Sequence, residues 1–491
     1  METMTLSLAS AARLLEQQGL LREIIRNDHW SLDPQDFDDI EFTSVTYDSR
    51  TVDHGTLLFC KGRFKPEYMA AASKAGLACY VAETDYSEHT DAVGLIVDDS
   101  RKAMSLLSAE FFGRPQDSLT VIGITGTKGK TTTAYFTQAV LNAWSGGKAA
   151  LFSSVDNCLD GEHYEESDLT TPESLDAFRM MRTAVDNGMK YLVMEVSSQA
   201  YKVHRVHGLT FDVGAFLNIS PDHISPIEHP TFEDYFHCKR QIIANSRALV
   251  LGEGCAHSDL IHQDAARAGI TVTETAPREQ VMESHDLAID GDFNYANAAA
   301  ALAIAHVLGV PDGDPSLNAM DTVRIAGRME QFHDSRSNTV AIVDYAHNYA
   351  SVNALLDFVD KRFGEDHPHI TLVTGSAGNK AYDRRDGIVN AAQSRIDQFV
   401  FTTEDSDTEP YLDICKQMQG YVTAPNVEST IIVDRTEAVI WAVDRARERD
   451  GRLNVLLLIG KGDERWIKNH NRHVAYEGDD RLIARLFGTQ E

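Results

Sequence analysis

Short apolar runs alternate with stretches of helical spacing along most of this chain, and the two periods predict where its elements lie. Ala11 to Arg26 repeats its apolar residues at helical spacing and predicts a helix. Apolar runs at Ser44 to Arg50, Gly55 to Gly62, Cys79 to Ala82 and Gly94 to Val97 follow, and together they read as a small α/β domain over residues 1–117. The turn-rich Gly113-Arg-Pro-Gln-Asp117 closes it. Runs at Val121 to Ile124, Ala149 to Phe152, Tyr191 to Val196, Val213 to Leu217 and Ala248 to Leu251 are short and bounded by polar turns, which suits buried parallel strands of a doubly wound sheet. A second boundary falls around Arg324 to Glu330. Beyond it Thr339 to Tyr345, Ile370 to Gly375, Asp397 to Thr403 and Asn454 to Gly460 restart the alternation. The expected division is therefore 1–117, 118–326 and 327–491. Ligands of such sheets bind at the carboxyl ends of strands, where Thr125, Glu195 and Asn218 fall.

Composition narrows the function classes. With 43% hydrophobic and 24% charged residues, the 491-residue chain has enough apolar matter for packed cores. A net charge of −29 argues against a general nucleic-acid or anionic-membrane binder. The six cysteines are scattered without a Cys-x-x-Cys pair, which fits reduced thiols in a cytoplasmic protein. No basic, then apolar leader opens the chain, and no run approaches the roughly 18 apolar residues of a membrane span.

The stretch Val121-Ile-Gly-Ile-Thr-Gly-Thr-Lys-Gly-Lys-Thr-Thr-Thr133 reads as strand, glycine-rich turn and helix start. Backbone N–H groups in such a turn converge on phosphate oxygens, helped by the helix dipole. Gly126, Thr127, Lys128 and Gly129 would form the cradle. Lys130 would reach the outer phosphates, and Thr131, followed by Thr132, would face Mg²⁺. The glycine spacing is shorter than a strict Walker A. Met194-Glu195 places a carboxylate at a strand end, suited to Mg²⁺ or to plain exposure. In the run Asp222-His223 the histidine is either a metal ligand or ordinary polar surface, and Lys239 follows on a helical-looking stretch, where a lysine is ordinarily solvated. Asn294 and Asn297 share a helix face, as adenine contacts or as a cap and turn. Arg328 can meet phosphate and Asp344 a ribose hydroxyl, or both belong to a charged hinge. Arg385, the acidic run Glu404-Asp405-Ser406-Asp407 and Gly460-Lys-Gly-Asp-Glu464 mix cations and carboxylates, as a site for a zwitterionic amino acid would, or as solvated loops would.

In their order along the whole chain, Thr125 to Thr133, Met194 to Ser198, Asn218 to His223, Gly327 to Glu330, Asp344 to His347 and Gly460 to Gly462 resemble the Mur ligases, ATP-dependent amide-forming enzymes of peptidoglycan precursor synthesis. Thr170-Thr-Pro-Glu173 and Tyr47-Asp-Ser-Arg50 resemble the type that adds the third residue. The resemblance implies an N-terminal domain for the UDP end of the substrate, a central P-loop ATPase domain and a Rossmann-like C-terminal domain for the amino acid. It implies ATP and Mg²⁺, and an acyl phosphate on the D-glutamate of UDP-MurNAc-L-Ala-D-Glu. By position, Glu195, His223, Thr131 and a carbamylated Lys239 would hold metal, with Lys130, Lys239 and His223 catalytic. Ser49, Thr170, Thr171, Ser197 and Arg205 would meet the UDP substrate. Gly126 to Thr132, Asn297, Arg328 and Asp344 would meet ATP. Arg385, Glu404, Asp405, Ser406, Asp407, Gly460 and Glu464 would meet the amino acid.

One departure bears on the acceptor. Members that add diaminopimelate carry Asp-Asn-Pro-Arg, and here the region reads Glu404-Asp-Ser-Asp407. An acid in place of the arginine repels a second carboxylate and favours an amine. The expected acceptor is L-lysine or a similar diamino acid such as ornithine, with meso-diaminopimelate as the alternative. The expected enzyme is a cytoplasmic monomer without nucleic-acid or membrane partners. A nucleotide-binding regulatory protein that no longer ligates is the reading from another class.

Overall fold

The computed structural model describes residues 6–226, 228–449, 451–470 and 472–488. Packing divides the chain into two compact units: Met1–Gly123 with Ser145–Gly214 and Asn245–Arg247, and Ile124–Trp144 with Ala215–Ala244 and Ala248–Glu491.

Three main sheets succeed one another along the sequence. The first orders its strands His29–Ser31, Leu21–Arg26, Val93–Val97, Cys79–Ala82, Thr56–Phe59 and Ser44–Thr46. The last four are parallel, and Leu21–Arg26 is antiparallel to both of its neighbours. The second has eight strands in the order Tyr164–Glu166, Asp156–Cys158, Ala149–Phe152, Tyr191–Glu195, Thr120–Thr125, Phe211–Phe216, Ser246–Leu251 and Thr271–Glu274. The third runs Glu330–Asp334, Thr339–Asp344, Asn454–Ile459, His369–Thr374, Gln398–Phe401 and Glu428–Ile431; every pairing but the first is parallel. A separate hairpin pairs Trp466–Asn469 with Arg472–Ala475. The fold is α/β with mostly parallel sheets.

The central strands form where the sequence is apolar on both faces. All six residues of Asn454–Ile459 are buried, as are Val121, Ile122 and Ile124. Fully burying such a side chain stabilises the fold by about 1.5–3 kcal/mol. Gly123 interrupts its strand because the Phe211 ring lies where a Cβ would go. All six cysteines are buried free thiols. Among the described residues no helix is long and apolar enough to cross a membrane.

The helix expected over Ala11 to Arg26 is shorter. It spans Leu8–Gln17, capped by Ser7, and the chain turns at Gly19 (φ 65°) into the strand Leu21–Arg26. The apolar spacing continued through that turn because Ile24 and Ile25 are buried on opposite faces of a strand, which mimics one side of a helix.

Candidate active site

The second unit holds the phosphate loop. Helix Lys130–Ser145 begins directly after Gly129. Asn218 clasps the loop: its Oδ1 accepts from Lys128 N (2.9 Å), its Nδ2 donates to Lys128 O (3.1 Å), and its carbonyl accepts from Thr127 N (3.1 Å). The Tyr235 hydroxyl donates to Thr127 Oγ1 at 3.1 Å. Gly129 sits at φ 82°, and a Cβ there would land on Asn297 Oδ1, so only glycine fits between loop and helix. Lys130 Nζ donates to the carbonyls of Gly126 (3.0 Å) and Thr127 (3.4 Å), which holds the ammonium in the hollow of the loop.

Asn297, Arg328 and Asp344, three residues far apart in sequence, line one cavity of about 280 Å³ with Lys128, Gly129 and Thr132. Asn294 and Asn297 share a helix face as expected, with Asn297 Nδ2 donating to Asn294 Oδ1 at 2.9 Å. Arg328 stacks over the Tyr345 ring (4.5 Å) and reaches Thr131 Oγ1 at 3.5 Å, while its Nε has no hydrogen-bond partner among the described residues. Asp344 accepts from Met329 N (2.9 Å) and Ala346 N (2.8 Å), and burial raises its carboxyl above the ordinary range. A glycine-rich loop at a helix N-terminus, an orphaned guanidinium NH and a partly apolar cavity fit a nucleoside triphosphate.

Lys239 is buried on helix Phe232–Ala244. Its ammonium donates to Gly126 O at 2.8 Å and lies 5.0 Å over the Tyr235 ring. His223 has a left-handed backbone (φ 59°), and its Nδ1 lies 3.3 Å from Glu228 Oε1. Burial lowers its pKa against the pull of Glu228 and Asp222. A buried hydroxyl such as that of Thr131 suits a hard divalent cation assisted by phosphate oxygens.

Asp222 is a hub that sequence reasoning left without a role. Arg384 donates to its Oδ1 through Nη2 (2.9 Å) and Nε (3.2 Å), Asn348 Nδ2 donates to Oδ2 (2.8 Å), and Lys128 Nζ lies 3.5 Å from Oδ2. Burial opposes its charge, yet Arg384 and Lys128 hold the carboxyl well below its usual range. Burial in turn pulls the Lys128 ammonium down to about 8. The partners lie 94, 126 and 162 positions away, so no local signal announces them.

In the acceptor region the expected residues are paired within the chain. Arg385 is committed within the protein: it is 1% exposed and donates to Glu409 Oε1 and Oε2 (2.8 and 2.7 Å) and to Ala377 O. Asp405 accepts from the buried Lys461 ammonium at 2.9 Å, and Glu464 pairs with the same lysine. Asp407 faces Lys468 at 3.3 Å. The loops close tightly. A Cβ on Gly378 would strike Ser406 O, one on Gly327 would strike Asp463 N, and one on Gly460 would lie 2.8 Å from Glu404 Oε2.

That last oxygen is buried without a hydrogen-bond partner among the described residues. Burial, then the neighbouring Asp405, pushes the Glu404 carboxyl up to about 7. A raised carboxyl contributes stability that is complete below its unfolded pKa, near 4.3, and lost as pH rises through about 7. Glu404→Gln should therefore gain on the wild type between pH 5 and 8, by on the order of 3 kcal/mol. Urea midpoints measured at both pH values check this, and parallel profiles would refute it.

In the first unit, Glu195 is buried and accepts from Ser154 N (2.8 Å) and Ser154 Oγ (3.2 Å). Thr171 Oγ1 donates to Glu195 O (2.9 Å) and accepts from Ser197 N (3.0 Å), while Ser197 caps the helix Ser198–Lys202. Arg205 donates to Glu173 Oε1 (3.0 and 2.8 Å) and to Thr171 O (3.2 Å). Lys61 Nζ completes this cluster 2.5 Å from Glu173 Oε2 and 3.9 Å over the Tyr47 ring. Thr170, half-buried, precedes it. Ser49 opens a short turn capped by Asp48, which also binds Arg50; Asp48 and Arg50 thus serve the turn itself. Lys61 was missed, although it follows a fully buried strand at its carboxyl end.

Residues 124–288 match the family model described as Mur ligase middle domain, and residues 327–462 that of Mur ligase, glutamate ligase domain. A UDP-N-acetylmuramyl-tripeptide synthetase of Bifidobacterium longum is 62% identical over 99% of this chain and 100% of its own. The UDP-N-acetylmuramoyl-L-alanyl-D-glutamate–L-lysine ligase of Enterococcus faecalis is 41% identical over 97% and 98%. Among solved structures, a UDP-N-acetylmuramoyl-L-alanyl-D-glutamate–2,6-diaminopimelate ligase aligns with a TM-score of 0.58 at 19% identity over 99% of both chains. A Mycobacterium tuberculosis folylpolyglutamate synthase complexed with ADP aligns at 0.60 and 18%, over 79% of this chain and 95% of that one. These two show the shared fold. With relatives of such identity along nearly all of its length, the chain belongs to the Mur ligase family, among its UDP-N-acetylmuramyl-tripeptide synthetases.

Proposed function

We propose that this ATP-dependent ligase joins L-lysine to the D-glutamate carboxylate of UDP-MurNAc-L-Ala-D-Glu in peptidoglycan precursor synthesis, working as a cytoplasmic monomer of three domains, 1–117, 118–326 and 327–491. One observation carries the reading. The phosphate loop, Lys239 and the cavity lined by Asn297, Arg328 and Asp344 belong to one compact unit, with Lys239 Nζ 2.8 Å from the Gly126 carbonyl. The identity to a named lysine ligase supports the acceptor.

In this mechanism a substrate carboxylate oxygen attacks the γ-phosphorus, ADP leaves, and an acyl phosphate forms. The amine of lysine then attacks the acyl carbon, loses its proton, and the tetrahedral intermediate expels phosphate. The loop N–H groups, Lys130 and Arg328 stabilise charge on the transferring phosphoryl group. Asn297 and Asp344 orient the nucleoside. Mg²⁺ would neutralise phosphate charge; Thr131, His223 and carbamylated Lys239 are the ligands proposed in the second unit, and Glu195 is the metal-holding carboxylate proposed in the first. Ser49, Thr170, Thr171, Ser197 and Arg205 hold the UDP substrate, with Glu173 and Lys61 fixing the guanidinium. At the acceptor, Glu404 to Asp407, Gly460 and Glu464 give an acidic surround, while Arg385 shapes the loop through Glu409.

A panel of amino acids with UDP-MurNAc-dipeptide and ATP, scored by phosphate release, tests this. Lysine should turn over fastest, with ornithine next. Faster turnover with meso-diaminopimelate would overturn the acceptor assignment, and no amino-acid-dependent phosphate release would overturn the ligase reading itself.

A further inference from the structure

Two lysines of the chain already face the acids of the acceptor loop, and they do so differently. Lys461 is 0% exposed at its side chain, lies between Asp405 and Glu464, and sits 4.5 Å over the Trp466 ring. It is a fixed part of the fold. Lys468 stands on the half-buried strand Trp466–Asn469 of the hairpin, with its side chain 36% exposed. Its Nζ is 3.3 Å from Asp407 Oδ1, and that oxygen is buried without a hydrogen bond among the described residues.

The hairpin and the acidic loop are sewn together by backbone. Ser406 N donates to Lys468 O (3.1 Å), Lys468 N donates to Asp405 Oδ1 (2.9 Å), and Asp407 bridges to Asn469. Asp407 is held in the left-handed region (φ 53°), which an aspartate tolerates but does not prefer. The carboxylate is thus fixed by main chain, whereas the ammonium opposite it hangs on a flexible four-carbon stem.

We propose that Lys468 is a specificity-determining residue: its ammonium keeps the place on Asp407 that the distal ammonium of the incoming diamino acid takes, and the two exchange. This rests on the amino-acid ligation proposed above. Lys468 is open to solvent on one side, which weakens the pair toward the range of exposed ones, so a second primary ammonium displaces it at little cost. An acceptor with an uncharged end brings nothing to replace it, and Asp407 stays closed by Lys468. Discrimination then comes from what the wrong acceptor cannot offer as much as from what lysine gains.

The test is steady-state phosphate release with Lys468→Met, which keeps most of the stem, at saturating ATP and UDP substrate. The KM for lysine should fall roughly two- to fivefold, the fold-change equivalent of losing an exposed pair. The kcat should not move, nor should the KM for ATP when ATP is varied at saturating lysine, and lysine should gain on norleucine, which brings no ammonium to the freed Asp407. Lys468→Arg, which keeps a cation on Asp407, should leave the KM for lysine at or above the wild-type value, and it serves if the methionine variant folds poorly. An unchanged or raised KM in Lys468→Met would overturn the exchange. So would a loss of meso-diaminopimelate turnover alone, which would make Lys468 a carboxylate receptor. A wild-type enzyme that releases phosphate with no amino acid would instead refute the ligase reading on which the exchange rests.

Discussion

Lys130→Met should lower the rate of phosphate release by about a hundred- to a thousandfold, the loss seen when one preorganised donor to a reacting oxyanion is removed. The side chain enters at the first residue of helix Lys130–Ser145, where the dipole already favours negative charge. Its ammonium is held over the loop by the Gly126 and Thr127 carbonyls, at 3.0 and 3.4 Å. The charge is therefore in place before phosphate arrives, and little reorganisation is needed during transfer. Methionine keeps the stem and its packing but removes the charge. The two carbonyls lose a donor, a stability cost of about 1 kcal/mol. Circular dichroism and a melting curve should consequently change little while turnover collapses. Full activity in a folded Lys130→Met chain would refute the phosphate-loop assignment.

What the sequence shows and what it hides follow from physical range. The buried strands were legible because both faces are apolar, as in Tyr191–Glu195 and Asn454–Ile459. The strands Tyr164–Glu166 and Arg472–Ala475 were not, since every residue in them is exposed and no hydrophobic period marks them. The phosphate loop was legible because its chemistry is contiguous: a glycine at positive φ, a lysine and a hydroxyl in adjacent positions. The acceptor site was only half legible. Arg384 and Arg385 are neighbours on helix Asp383–Ala392, so their side chains diverge by about 100°. One turns to Asp222 and the other to Glu409, and sequence cannot say which goes where. The acids of Glu404 to Asp407 were visible, but the lysines that meet them, Lys461 and Lys468, are placed by a strand end and a hairpin more than fifty residues on.

Asp222→Asn should be among the most destabilising single changes in the second unit, by about 3–5 kcal/mol. The substitution preserves shape but leaves Arg384, 9% exposed at its side chain, and Lys128 facing each other across a neutral amide. Coulomb repulsion and the lost desolvation partner then act together. In the wild type the depressed carboxyl contributes stability present above its unfolded pKa, near 3.9, and lost as pH falls through its lower folded value. The asparagine variant should lack that acid-side loss. Activity should suffer as well, because the same carboxylate fixes Lys128 of the phosphate loop, Asn348 at the start of helix Tyr349–Phe363, and Arg384. A double-mutant cycle separates these effects. Arg384→Met alone strands the buried Asp222, whereas Asp222→Asn with Arg384→Met removes both charges and should recover much of the lost stability, giving a coupling of up to about 3 kcal/mol. Recovered stability without recovered turnover would show that the pair is retained for the geometry it imposes on the phosphate loop. Strict additivity of the two changes would instead show that the Asp222–Arg384 contact carries no energy of its own.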